Sequence, residues 1–508
     1  MFNKRKLYLL LFLICLLMLC LFTGFSISQE NSKCMGVPIL SEAASEKLAA
    51  RQYRQVDLSG VLYHNNELAA IDKVSSTIYI SQHINETTKA KDLVGTIRTK
   101  DLPYELCFLA DKRFDDIYHA VADGYPFKLI ILLNEKEYTK YNVIFTSLPV
   151  IKMEGTFKEV DDEERDVFAG SLCIWSPFDI NEGRYSVKKS LANWHVRGGL
   201  TKNQDKKSWR ISLKSNSGSS KDLSLLGLGS DDDWILNSMT MDDTKIREKP
   251  AADIWNLFQS NSKLRMSAGE YCEVIHNGQY QGLYLLQRRI DAKYLGLSAD
   301  YTLFKGRSTW TPANVEEAYE IIAAPLAKDS SYQLMEDYFQ GDLSIVDVDN
   351  WIDVYLMLQL GNMVDNVGYK NMYYLVDSSH ERERLYFIPW DTDMSFGLWW
   401  DGKFTYKSEN ADNGIDAIRK EYALLSLCYP DLNAKINARW LDLRKSVFRR
   451  DVLSSLIDNL DAQITSSGAL TREHALWGIR YDGCDTIENM KDYIERRLIY
   501  LDNLLNNR

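Results

Sequence analysis

The sequence predicts an α+β chain of more than one domain, on three observations. Short apolar runs divided by turn residues fill residues 60–286, as strands do. From Asn314 the apolar residues recur at helical spacing, and an aromatic-rich hairpin interrupts the helices at residues 361–397. At 508 residues and 45% hydrophobic, the chain has the length for two or three domains with their own cores. Sixty Lys+Arg stand against seventy-one Asp+Glu, a net charge of −11, so no nucleic-acid partner is expected.

Lys4, Arg5 and Lys6 precede an apolar run over residues 7–27. A basic start followed by such a run is a signal peptide or an uncleaved signal anchor, here residues 1–29. Ser26 and Ser28 offer small residues for cleavage, while an intact run would anchor the chain in a membrane through residues 7–27. Either way residues 30–508 are expected outside the cytoplasm, secreted or at the cell surface. Six cysteines follow this segment: Cys34, Cys107, Cys173, Cys272, Cys428 and Cys484. They form no CxxC pair, which argues against structural zinc; disulfides and buried free thiols both stay open.

Residues 30–147 read as a polar spacer, helical over 41–53, and then a small β-rich domain. Its apolar runs at 61–63, 76–80, 129–133 and 142–145 suggest a sandwich-like arrangement without chemistry of its own. A second domain begins at Leu148. Within it a strand at 193–197 leads into Gly198 and Gly199, and a strand at 208–214 follows. Glycines that admit close backbone approach, beside Lys207 and Arg210, make a plausible phosphate cradle. A Gly-Gly hairpin with surface lysines is the plainer reading. Alternation puts Lys207 on the face of Trp209, Ile211 and Leu213, with Arg210 opposite.

Asp243 and Arg247, four residues apart, read either as a solvated helical ion pair or, for Arg247, as a phosphate or carboxylate clamp. A helix is expected over 251–260. Strands at 271–275 and 280–286 flank Asn277-Gly278, a strong hairpin signal, with His276 expected at the surface beside the tip. The final stretch, 488–505, reads as an amphipathic helix packed on the fold.

The stretch that carries chemistry is 361–397. A loop holds Asp365 and Asn371, a strand covers 372–376, a polar turn follows, and a second strand at 385–388 delivers Asp391 and Asp393. If the chain stays extended through Pro389 and Trp390, the period of two places both carboxylates on one face. Side by side they repel unless a cation sits between them. Hard oxygen ligands point to Mg, Mn or Ca. Singly, each Asp also reads as a turn or capping residue; the grouping argues for a site.

Several motifs occur in order: Val196-Arg197-Gly198 with Lys206-Lys207-Ser208-Trp209-Arg210, Trp234-Ile235-Leu236 with Asp243 and Arg247, and Asn277-Gly278-Gln279-Tyr280-Gln281-Gly282. Asp365 with Lys370-Asn371, and Ile388-Pro389-Trp390-Asp391-Thr392-Asp393, complete the set. Together they resemble the spore-coat CotH kinase family over residues 148–440, with 441–508 as a helical extension packing on that domain. The resemblance implies an atypical, two-lobed, protein-kinase-like fold that moves phosphate from ATP to Ser residues of a surface or secreted protein, with Mg, Mn or Ca. By motif, Asp365 resembles the catalytic-loop Asp, and Asn371, Asp391 and Asp393 resemble metal ligands. Arg197, Gly198, Lys207, Arg210, Arg247 and Gln287 would line the nucleotide phosphates.

The chain differs from the family's usual pattern in three places. Gly199-Leu200 stands for Asn-Ser, Glu248 for Asn after Arg247, and Gln287 for Glu after the second hairpin strand. These differences keep open an alternative reading, a catalytically silent surface structural or adhesion protein of the same fold.

Overall fold

The computed structural model describes Ile39 and residues 47–158, 167–179, 183–307, 311–366, 370–399, 401–405, 416–479 and 483–506, apart from 65, 94–96, 101 and 103. The apolar segment 7–27, Cys34 and the start of the expected 41–53 helix lie outside the described residues. Among the described residues no helix is long and apolar enough to cross a membrane. The chain divides into two compact units, one ending at Thr146 and the other running from Ser147 to Arg508.

The first unit is built on a six-stranded sheet whose main path runs Ala70–Asp72, Thr77–Ser81, Glu137–Thr146, Phe127–Leu132, Glu105–Phe108. Thr77–Ser81 pairs in parallel with Glu137–Thr146, and the short strand Gln52–Tyr53 does the same. Parallel pairing makes the sheet mixed, and a second, three-stranded sheet runs Glu67–Leu68, Leu62–His64, Ile97–Thr99. Apolar runs reveal strands but not which distant strand each one pairs with. Ile78, Ile80, Phe108, Phe127, Leu129, Val143 and Phe145 form its core.

The second unit opens with a closed seven-stranded barrel. Its strands are β1 Val150–Lys158, β2 Val167–Asp179, β3 Arg184–Arg197, β4 Ser208–Lys214, β5 Asp233–Asn237, β6 Gly269–His276 and β7 Gln279–Arg288. Their order is β1-β2-β3-β4-β5-β7-β6, and β6 closes the ring by pairing in parallel with β1. In β4 Trp209, Ile211 and Leu213 are buried while Arg210, Ser212 and Lys214 are half-exposed, the alternation a barrel wall requires. Trp194, Trp234, Val274 and Tyr284 fill the interior with them. The β6–β7 turn has Asn277 at φ 49° and Gly278 at φ 75°, two successive left-handed residues, as the Asn-Gly pair foretold. His276 differs from expectation: it is half-buried against Phe168, Trp194 and Trp209, and its Nε2 accepts from Trp194 Nε1 at 3.1 Å.

Helix α1, Glu248–Phe258, leaves the barrel between β5 and β6. Pro250 sits in its first turn, where a missing N–H costs nothing. After the barrel come β8 Tyr301–Gly306, β9 Tyr319–Ala323, α2 Lys328–Gln340, α3 Val348–Gly361, β10 Met372–Asp377 and β11 Arg384–Pro389. The four strands form a sheet in the order β9-β8-β10-β11. Helices α4 Asp416–Cys428, α5 Leu432–Arg444, α6 Arg450–Ser466, α7 Ala469–Trp477 and α8 Ile487–Asn506 finish the chain. Residues of α1, the sheet and these helices share one core, including Trp255, Tyr319, Trp351, Phe387, Trp440 and Leu498. Cys107, Cys173, Cys272, Cys428 and Cys484 are free thiols.

Helix α7 returns to the barrel. Glu473, fully buried, accepts from Leu283 N at 2.8 Å and from Lys206 Nζ at 2.7 Å, and Arg472 pairs with Glu273 at 2.8 Å.

Candidate active site

The β10–β11 hairpin ends on two left-handed residues, Asn371 at φ 56° and Asp391 at φ 57°. Asn and Asp tolerate that conformation better than other side-chain-bearing residues. Trp390 N donates to Asn371 O at 3.0 Å, and Asn366 Nδ2 ties both ends together, donating to Asn371 O and to Trp390 O at 2.8 Å each. Asp391 and Asp393 are therefore not neighbours on an extended strand. β11 stops at Pro389, and a turn gathers the carboxylates where strand alternation was expected to.

Asp365 stands beside this turn. Its Oδ1 takes Lys370 Nζ at 2.5 Å and its Oδ2 takes Asn371 Nδ2 at 2.9 Å. A fourth carboxylate, absent from the predicted set, joins them: Glu248 at the start of α1. Glu248 Oε2 accepts from Thr392 N at 2.8 Å, and Oε1 accepts from Gln287 Nε2 at 3.2 Å. Burial, and then the charge of Asp391, pushes its carboxyl up to about 7. Burial together with Asp391, Glu248, Asp365 and Asp242 holds Asp393 well above the usual carboxylate range. The predicted acids thus share one field with Glu248, though among the described residues no three Asp, Glu, His or Cys side chains form a ready-made metal cage.

The predicted cations fare differently. Arg247 is fully buried, and its partners are Asp242 at 2.5 Å and Asp485 at 2.5 Å, not Asp243. It also donates through Nε to Ser395 O at 2.9 Å, which ties down the turn after Asp393. Lys207 donates to Lys202 O at 2.9 Å and Gln204 O at 2.5 Å, and the lysine that turns inward is its neighbour Lys206. Arg210 is engaged by both oxygens of Asp233, at 2.9 and 2.5 Å. Gln287 is buried against Glu248. Only Arg197 of this group has a side chain without hydrogen bond or ion pair among the described residues; its guanidinium lies 5.8 Å from the Trp390 ring centroid. Gly198 has φ 111°, and a Cβ there would meet Thr201 Oγ1 at 2.2 Å, so the turn itself demands glycine.

Glu248 had a sequence signal, since it departs from the family's usual residue, but nothing local says that the first turn of α1 reaches the hairpin 143 positions away at Asp391. Asp485 had none.

A family model described as CotH kinase protein matches residues 194–339 and 326–501, a span of more than half the chain. No match was found among curated proteins.

Proposed function

The chain belongs to the CotH kinase family, so we propose that it is a metal-dependent protein kinase that moves the γ-phosphate of ATP to serine hydroxyls of a surface or secreted protein. The observation that carries this reading is the crowding of Asp391, Asp393, Glu248 and Asp365 into one field. Among the described residues only Lys370, on Asp365, pairs with any of them. Such a group favours a divalent cation. The donor set fits one, being carboxylate and amide oxygen throughout, which suits Mg, Mn or Ca. Asn366 Oδ1 and Ser395 Oγ, both buried without a partner, lie in the same turns. Lacking a finished cage, the site would rely on phosphate oxygens to complete the coordination, as Mg sites commonly do.

In this reading Asp391, Asp393 and Glu248 would hold the cation, and Asn371, whose Nδ2 donates to Asp365, would have its Oδ1 left to offer. A bound cation would neutralise charge on the phosphate oxygens. Asp365, steered by Lys370 and Asn371, accepts the proton of the serine hydroxyl as its oxygen bonds to the γ-phosphorus and the bond to the β-phosphate oxygen breaks, releasing ADP. Phosphoryl transfer asks mainly for such positioning and charge stabilisation. The barrel and the helical part with its four-stranded sheet would act as the two lobes, and residues 1–29 would export or anchor the chain, with 30–147 as an accessory domain before a catalytic domain at 148–440 and its helical extension.

The test is the full-length chain with labelled ATP and Mg or Mn, beside Asp365→Asn. Label that reaches protein serine and vanishes in the variant supports the kinase. Free phosphate without acceptor labelling would replace it with a hydrolase. A second reading, a silent CotH fold serving as a surface structural or adhesion protein, draws support from the internal engagement of Lys207, Arg210 and Arg247. No turnover with either metal would favour it.

A further inference from the structure

With three of the predicted cations engaged internally, the acidic turn needs another source of positive charge for an anionic substrate. Strand β8 carries one. Lys305 lies opposite Tyr373 in the β8–β10 register, and its Nζ is 5.9 Å from the ring centroids of both Tyr373 and Trp390. Arg197 approaches the same Trp390 ring to 5.8 Å. Neither side chain makes a hydrogen bond or ion pair among the described residues. Burial, and then Arg197, holds the Lys305 amine below its usual range, with Asp391 and Glu320 opposing.

Two like charges set over one indole, partly withdrawn from water, repel each other. Contact with the aromatic ring offsets part of that cost, and a bound anion would offset the rest. The next residue after Trp390 is Asp391, so the ligand's other end would meet the carboxylates proposed to hold a cation. A single carboxylate carries one charge, too few to serve both cations. A polyphosphate carries several charges along its length, so the Arg fork and the Lys point charge would meet one part of it while another part lies towards the acids proposed to hold a cation. We propose that Lys305 and Arg197 form a binding site for a polyphosphate chain beside Trp390. As a contact in phosphate transfer the pair rests on the kinase reading; as an anion site it does not.

The experiment titrates the full-length chain with inorganic tripolyphosphate in EDTA, by calorimetry, so that metal plays no part. Lys305→Gln and Arg197→Gln should each weaken binding about tenfold or more, while Lys305→Arg keeps most of it. Asp391→Asn should bind at least as tightly as the parent, because it removes a like charge near the ligand. Thermal unfolding of Lys305→Gln should stay close to the parent's, since the lost cation made no hydrogen bond or ion pair and gives up only its 5.9 Å approaches to the two rings. Tighter binding of ATP than of tripolyphosphate would identify a nucleoside triphosphate as the source; equal binding would identify polyphosphate alone. Unchanged binding in Lys305→Gln, or no binding by the parent, overturns the inference. Lys305-dependent binding without any phosphate transfer from ATP would leave the site standing and remove the kinase reading. Parental transfer rate and KM in Lys305→Gln would do the reverse.

Discussion

Glu248 is 3% exposed, and its hydrogen-bond donors, Gln287 and Thr392, are both neutral. With Asp391 also in its field, the carboxylate lacks the compensation that buried charges usually have. Its contact with Gln287 joins two of the departures from the family's pattern. Where Asn and Glu are usual, this chain has Glu and Gln, so acid and amide have changed places between α1 and β7 and the site keeps its charge. Glu248→Gln should therefore act in opposite directions on two measurements. Relief of repulsion raises the melting temperature of the metal-free protein, by about 1–2 °C for each kcal/mol in a unit of this length. Loss of a donor weakens Mn binding about tenfold, read by titration calorimetry. A variant that lowers both would show that Glu248 serves the fold rather than the cation.

Arg247 links three segments: the loop holding Asp242, the turn at Ser395, and Asp485 between α7 and α8. Removing a buried cation leaves two carboxylates uncompensated, so Arg247→Met should cost about 3–5 kcal/mol in urea unfolding. If Arg247 instead faced phosphate, the variant would keep its stability and lose only nucleotide affinity. The docking of α7 on β7 has an equally local test. Gly282 has φ +91°, and a Cβ there would lie 2.2 Å from Glu473 Oε2, which is held on Leu283 N while Lys206 holds Oε1. Gly282→Ala should destabilise the second unit by about 2 kcal/mol or more, seen as a lowered melting temperature.

Each of the two units has its own hydrophobic core, and each holds a histidine pushed down to about 4 by burial, His64 in the first and His276 in the second. A folded pKa below the unfolded value near 6.5 means that the unfolded chain takes up the proton first. The contribution is complete above pH 6.5 and is lost as pH falls towards 4. For half-buried His276 it is on the order of 1–2 kcal/mol after allowance for solvent. Calorimetry between pH 7 and 4 should show His64 and His276 each pulling their unit's melting temperature down as pH falls. In the second unit this acts against the opposite pull of Glu248 and Asp393, whose raised values make the folded chain take up protons first. His276→Phe should remove the downward pull from the second unit alone. An unchanged slope would mean that carboxylates, not His276, set its acid sensitivity.

Much of this was legible in the residues. The α+β class, the Asn277-Gly278 hairpin, the alternation of β4 and the grouping of Asp365, Asn371, Asp391 and Asp393 all follow from patterns a few residues long, because backbone preference and side-chain period are local properties. The route to the grouping was not legible: Asp391 joins through a left-handed turn, which a short Asp permits but does not announce. Nor were the parallel β1–β6 closure of the barrel, the choice of Lys206 over Lys207 for burial, the capture of Arg247 by Asp485, or the arrival of Glu248 and Lys305 at the hairpin. Each depends on partners tens to hundreds of positions apart, and a charged residue's spacing along the chain does not say which distant charge it will meet. Composition and motif therefore name the chemistry this chain is equipped for, whereas long-range packing selects which of its acids and cations are left free to perform it.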